Sequence, residues 1–208
     1  MTIPRLAGFV GLLVLNRLLW KRFAFDIDLR RCGRAALYGV PLIGLALGAL
    51  TDNCGRYWPR SAVIVAIFTT PVVGLFEEYA WRGVILEALL ATRSRLSAIA
   101  LSSLLFTVYH VEAQPLFAWP AIFLTGVVLG NYRIRGLSLF WLAGIHTAID
   151  VAYFFFATDY FPTSILLPSH VVTISESPAC TSHDAVFLGG LALLAVVTYP
   201  RATATTRP

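Results

Sequence analysis

The spacing of apolar residues constrains this chain more than any other feature. Seven apolar runs, near Arg5–Trp20, Ala35–Leu50, Ser61–Leu90, Ser97–Val111, Leu116–Tyr132, Leu137–Ala157 and Ala185–Tyr199, are separated by polar connections. Most are close to the ~20 residues a helix needs to cross a bilayer, or slightly shorter. Only 13% of the 208 residues are charged while 58% are hydrophobic, and the mean hydropathy is +0.75. That is about half the charge of a soluble domain. In water, a fold of this size would expose apolar patches larger than monomers tolerate. The expectation is all-α: a polytopic helical membrane bundle of about seven transmembrane helices. One integral membrane domain is expected over residues 1–200, followed by a disordered cytoplasmic tail at 201–208.

A net charge of +5 does not point to nucleic acid here, because the basic residues sit in connections between apolar runs. Lys21, Arg22, Arg30, Arg31 and Arg34 fall in the first connection, Arg93 and Arg95 in the third, Arg133 and Arg135 in the fifth, and Arg201 and Arg207 in the tail. The intervening connections hold Asp52 with Arg56 and Arg60, then Glu112, then Asp159, Glu176 and Asp184. With seven spans, every basic connection lies on one side, which predicts an outside N-terminus and a cytoplasmic C-terminus. The run at 61–90 is too long for a perpendicular crossing and contains Pro71, so tilt or a kink is expected there. The longest connection, Thr158–Asp184, is expected to cap the outer mouth of the bundle or to lie on the interface. The first run ends in Lys21-Arg22 without a small-residue cleavage pattern and reads as a retained span. Cys32, Cys54 and Cys180 share no metal-type spacing, and three cysteines make a poor disulfide framework.

Ionisable residues inside spans are costly and usually functional. Three groups stand out. In Phe76-Glu77-Glu78-Tyr79-Ala80-Trp81-Arg82, Glu78 and Arg82 are four residues apart and share a helix face, so an ion pair is expected. Glu77 lies about 100° round the helix from Glu78. It is therefore the better candidate for a general base facing a cavity. A plain helix–helix ion pair explains one carboxylate and one arginine, but not the second carboxylate. Phe106 and His110 are also four apart; taken alone, His110 is more readily a packed or interfacial residue. His146 and Asp150 share a face in a strongly apolar run, where an unpartnered Asp is expensive. Counted along the spans, Glu77, His110, His146 and Asp150 fall near mid-membrane, so three helices aim at one pocket. Glu87 and Arg17 lie nearer the cytoplasmic ends, where snorkelling explains them.

Glu77-Glu78…Arg82, Phe106…His110 and His146…Asp150, in that order on successive helices, resemble the CPBP family (also called Abi or CAAX proteases) of glutamic intramembrane proteases. The Gly-rich stretch Gly126–Gly136 is similar to the family's segment before its last motif. The resemblance covers roughly residues 62–153. It implies that Glu77 and His110 activate a water that attacks a peptide carbonyl. It further implies that His146 and Asp150 stabilise the oxyanion, and that Glu78 and Arg82 organise the site. Neither a metal nor another cofactor is implied. Asp150 departs from members that resemble this pattern with Asn, since an ionised Asp would repel an oxyanion and only a protonated one donates to it.

The expected partners are a membrane-anchored protein or peptide substrate and the lipid bilayer, not nucleic acid. The family is associated with prenylated CAAX tails, bacteriocin leaders and sorting peptides, and the sequence does not choose among them. Small size and compact loops point to a prokaryotic cell membrane. Two other readings compete. Glu77, His110, His146 and Asp150 form a set that zinc accepts, although no HExxH run exists. A transporter, proton relay or idle scaffold also buries such groups, although no paired inverted repeat is evident.

Overall fold

The computed structural model describes residues 32–50, 60–111, 116–156 and 179–200. Every regular element among them is helical. Helix α1 spans Cys32–Leu50 and α2 spans Arg60–Glu78. A π-helical segment, Tyr79–Ile85, leads into the short α3, Leu86–Leu90. Then come α4 at Arg95–Tyr109, a 3-10 turn at Leu116–Ala118, α5 at Trp119–Ile134, α6 at Leu139–Phe156 and α7 at Ala179–Thr198. Six of the seven apolar runs thus coincide with helices. The first run, the tail and residues 157–178 of the long connection lie outside the described residues. That connection is shorter than expected, because α7 begins at Ala179 rather than at Ala185.

The helix ends have local causes. Ser94 caps α4 by accepting from the Ser97 N–H, which satisfies one of the orphan donors of the first turn. Pro120 sits in the first turn of α5, where a missing N–H costs nothing. At the other end of α5, Gly136 has φ +87°. There the Leu137 N–H bonds the Tyr132 carbonyl and the Gly136 N–H bonds that of Arg133, a Schellman turn that needs a residue tolerant of the left-handed region. Pro71 lies inside α2, and the helix runs on through it to Glu78. The irregularity in this long run falls eight residues later, in the π segment.

Helix α6 packs against α1 and α2, while α5 packs against α4 and α7. The core includes Leu42, Tyr79, Leu129, Tyr132, Leu142 and Leu191. The close approach of α2 to α6 depends on Gly74. A Cβ there would lie 2.6 Å from Thr147 Oγ1 and 2.9 Å from the Ala143 carbonyl oxygen. Glu77-Glu78 stand one helical turn beyond Gly74, and His146 lies between Ala143 and Thr147, so this contact sets the reach between them.

Among the described residues, no helix is long and apolar enough to cross a membrane. Helix α4, for example, has 15 residues and reaches about 22 Å at 1.5 Å per residue. Large hydrophobic side chains nevertheless cover outward faces: Leu37 and Val40 on α1, Phe68 on α2, Leu104 and Val108 on α4, Val196 and Val197 on α7.

Candidate active site

The two adjacent carboxylates close α2, and the backbone changes register directly after them. Leu86 N–H bonds the Trp81 carbonyl, five residues back, instead of four. Single π turns inside helices are rare and recur at functional sites. Sequence spacing gave no sign of it, because a π turn and an α turn place Arg82 on nearly the same side as Glu78. Arg82 still reaches the carboxylate: Nη1 donates to Glu78 Oε1 at 2.8 Å, with both side chains buried.

The rest of the Arg82 environment was not legible in the sequence. Its Nη2 donates to the Gly126 carbonyl at 3.4 Å, and its guanidinium carbon lies 4.5 Å from the centre of the Phe106 ring. A carboxylate, a carbonyl and an aromatic face together replace the water that a buried guanidinium gives up. Gly126 and Phe106 belong to stretches that the sequence singled out, but for other reasons.

Glu78 has a second partner. His146 Nδ1 lies 2.7 Å from the same Oε1. A carboxylate accepts, so Nδ1 carries the hydrogen and donates. Within α6 itself, the contact between His146 and Asp150 is the longer one. Those two are neighbours at 3.7 Å through Nε2 and Oδ1, beyond hydrogen-bond length. The stronger contact crosses from α6 to α2.

Glu77 faces the two histidines. Its Oε2 lies 3.6 Å from His110 Nε2 and 3.7 Å from His146 Nε2. His110 is fixed from behind by Phe106, whose carbonyl accepts from Nδ1 at 2.8 Å. A neutral His110 therefore presents its Nε2 lone pair toward Glu77. The i,i+4 spacing of Phe106 and His110 carried this bond, with the backbone of Phe106 as the acting group. The Phe106 ring also meets the rings of His110 and His146 edge-on, at 4.6 and 5.9 Å between centroids. Trp81 packs on Phe106 and Tyr109, completing an aromatic wall.

Burial is graded across the cluster. The Glu77 side chain is 2% exposed, that of His110 18% and that of Asp150 28%. Access is thus from the side of His110 and Asp150, with Glu78 and Arg82 at the closed end. All six residues singled out by the sequence, Glu77, Glu78, Arg82, His110, His146 and Asp150, come together. Glu87 does not join them; it pairs with Arg133 at 3.0 Å instead of simply snorkelling. Among the described residues, no group of three or more His, Cys, Asp and Glu side chains is arranged to hold a metal ion.

Residues 59–152 match the family model described as type II CAAX prenyl endopeptidase Rce1-like. The matched segment runs from just before α2 into α6 and contains every residue of the cluster. The class so defined is that of proteases, which are hydrolases. Over this segment the chain is similar to the CPBP, or CAAX protease, family. No curated protein and no solved structure matches it.

Proposed function

We propose that this protein is a polytopic membrane endopeptidase that hydrolyses a peptide bond of a membrane-associated substrate with a water activated by Glu77 and His110. The observation that carries the reading is the position of Glu77 Oε2, 3.6 Å from His110 Nε2 and 3.7 Å from His146 Nε2. Glu77 Oε2 and the Nε2 of a neutral His110 are both acceptors, and at that separation one water can donate to both at about 2.8 Å. Glu77 takes a proton from this water as its oxygen attacks the carbonyl carbon. His110, anchored at Nδ1 by the Phe106 carbonyl, orients the water through Nε2. The tetrahedral oxyanion develops on the side of His146 and Asp150, with Asp150 donating only when protonated. Glu78 and Arg82 hold the His146 ring in place. Water is the nucleophile throughout, so no acyl-enzyme forms.

The substrate class follows from the family description, a prenyl endopeptidase. A peptide anchored in the bilayer near its scissile bond is therefore the expected substrate. Seven crossings, with the N-terminus outside and the C-terminus in the cytoplasm of a prokaryotic cell, complete the proposal. The exposed Leu37, Val40, Phe68, Leu104 and Val108 support a lipid surround. The basic turns also gather at one end. Arg95 bonds the Pro200 carbonyl, and Arg135 bonds those of Val197 and Tyr199, as one cytoplasmic face requires.

The test compares purified wild type with Glu77→Gln on a farnesylated CAAX peptide and on an unprenylated membrane-anchored peptide. Wild type is expected to cleave at least one of them, and the variant to be slower by a factor of about 10² or more. Equal cleavage by both would falsify the glutamate mechanism. Inhibition by chelators that zinc reverses would transfer the role to a metal. For topology, a membrane-impermeant thiol reagent added outside should label Cys180 and spare the exposed Cys32; the opposite pattern inverts the orientation.

A further inference from the structure

His146 occupies a position that its expected role alone does not explain. Its ring is buried, Nδ1 donates to Glu78 Oε1 at 2.7 Å, and Nε2 looks toward both Glu77 Oε2 and Asp150 Oδ1 at 3.7 Å. Three carboxylates from two helices therefore surround one imidazole. With Nδ1 already committed as a donor, a neutral His146 would turn a bare lone pair toward two further acceptors. It could then donate to neither an oxyanion nor a leaving group. The charges point the same way. Among the described residues, Arg82 is the permanent cation bonded within this set of Glu77, Glu78 and Asp150, the setting is largely buried, and uncompensated buried charge is expensive. His110, the other titratable neighbour of Glu77, is tied to the Phe106 carbonyl through Nδ1.

We infer that His146 works as an imidazolium, clamped at Nδ1 by Glu78, and that its Nε2–H is the proton delivered to the departing amine. The inference rests on the protease reading and adds the step which that reading leaves open. Water attack forms the C–O bond and passes one proton to Glu77. The carbonyl π pair moves to oxygen, where the Nε2–H first hydrogen-bonds the oxyanion. As the tetrahedral species collapses, the C–N bond breaks and the amine nitrogen takes the proton from Nε2. Glu77 then returns its proton to the neutral His146 across the 3.7 Å that separates them, through a water, and the starting state is restored. The sum is amide plus water giving acid plus amine. Asp150, 3.7 Å from Nε2, favours the protonated ring between turnovers through its charge. That gives the Asp at this position a use that an Asn would serve less well.

The experiment pairs two substrates that differ in one atom. A membrane-anchored peptide cleaved by wild type is compared with the same peptide carrying an ester in place of the scissile amide. An alkoxide leaves with far less need of a proton than an amide nitrogen does. In His146→Gln, the side chain keeps an N–H donor for the oxyanion and has no transferable proton. Amide cleavage is expected to fall by a factor of about 10²–10⁴, and ester cleavage to stay within about tenfold of wild type. Ester turnover in the same preparation also shows that the variant is folded. Equal losses on amide and ester overturn the inference. A second measurement needs no variant. Across a series of anilides whose amines become less basic, the wild-type rate should vary little, because the nitrogen is protonated as it leaves; a steep rise with weaker amines overturns it too. Wild type that cleaves no peptide at all sinks the protease reading itself, a different outcome from either of these.

Discussion

Among the described residues, two arginine-bearing polar clusters use their charges in opposite ways. At the closed end of the candidate site, Arg82 is buried and bonds a buried carboxylate, a carbonyl and an aromatic face. At the basic end of the bundle, Arg95 and Arg135 are partly solvated and bond main-chain carbonyls at the end of α7, while Arg133 pairs with the half-buried Glu87. The last carbonyls of a helix lack intrahelical donors and carry partial negative charge. Arg95 and Arg135 there act as caps and can be exchanged for water. Arg82 has no such substitute, because the medium around it cannot screen the charge it neutralises. Residue type is the same in both places, and burial decides whether the arginine fastens a helix or conditions a reactive site.

That contrast can be broken at graded points. The largest expected effect is on rate alone: Glu77→Gln should reduce peptide cleavage by a factor of about 10²–10⁴, while the thermal midpoint in detergent moves little. A large loss of stability would mean that Glu77 is structural. Next comes Arg82→Met, which removes the permanent cation from Glu78 and leaves it only His146; this should destabilise the fold by about 3–5 kcal/mol. Adding Glu78→Gln to it should recover part of that loss, as seen by denaturant unfolding; a double variant worse than the single one would refute the pairing.

A smaller effect belongs to the basic end. Asn131 Nδ2 donates to the Ala195 carbonyl at 2.9 Å and to Thr198 Oγ1 at 3.2 Å, all buried, and so ties α5 to α7. Asn131→Ala should cost about 1–3 kcal/mol without changing cleavage per folded molecule. A fall in that specific activity would show that the two ends are coupled. Smallest of all, Glu87→Gln should change stability by no more than about 1 kcal/mol, with cleavage unaffected. A loss comparable to that of Arg82→Met would erase the distinction between the ends.

Much of this was legible in the chain. The helical class, the positions of six helices and the six residues that meet at the site all follow from apolar run length and from i,i+4 spacing. Those are one-dimensional signals, and a helix converts them into faces without further information. The Glu78–Arg82 pair and the bond from His110 to the Phe106 carbonyl are local in this sense, each closing within four residues. Some local features escaped. Neither the π turn after Glu78 nor the continuity of α2 through Pro71 could be read from spacing, since both depend on what packs around the helix.

The contacts that cross between helices were decided only by tertiary structure. Nothing in the spacing of α6 says that His146 Nδ1 turns to Glu78 rather than to Asp150, or that the Gly126 carbonyl completes the shell of Arg82. Those choices depend on interhelical distance, set where Gly74 lets α2 close on α6. The sequence by itself determined which ionisable groups are withdrawn from water, because the helical period and the apolar runs dictate that. The tertiary structure decided which of those groups share a proton, because a hydrogen bond depends on fractions of an ångström between elements far apart in the chain.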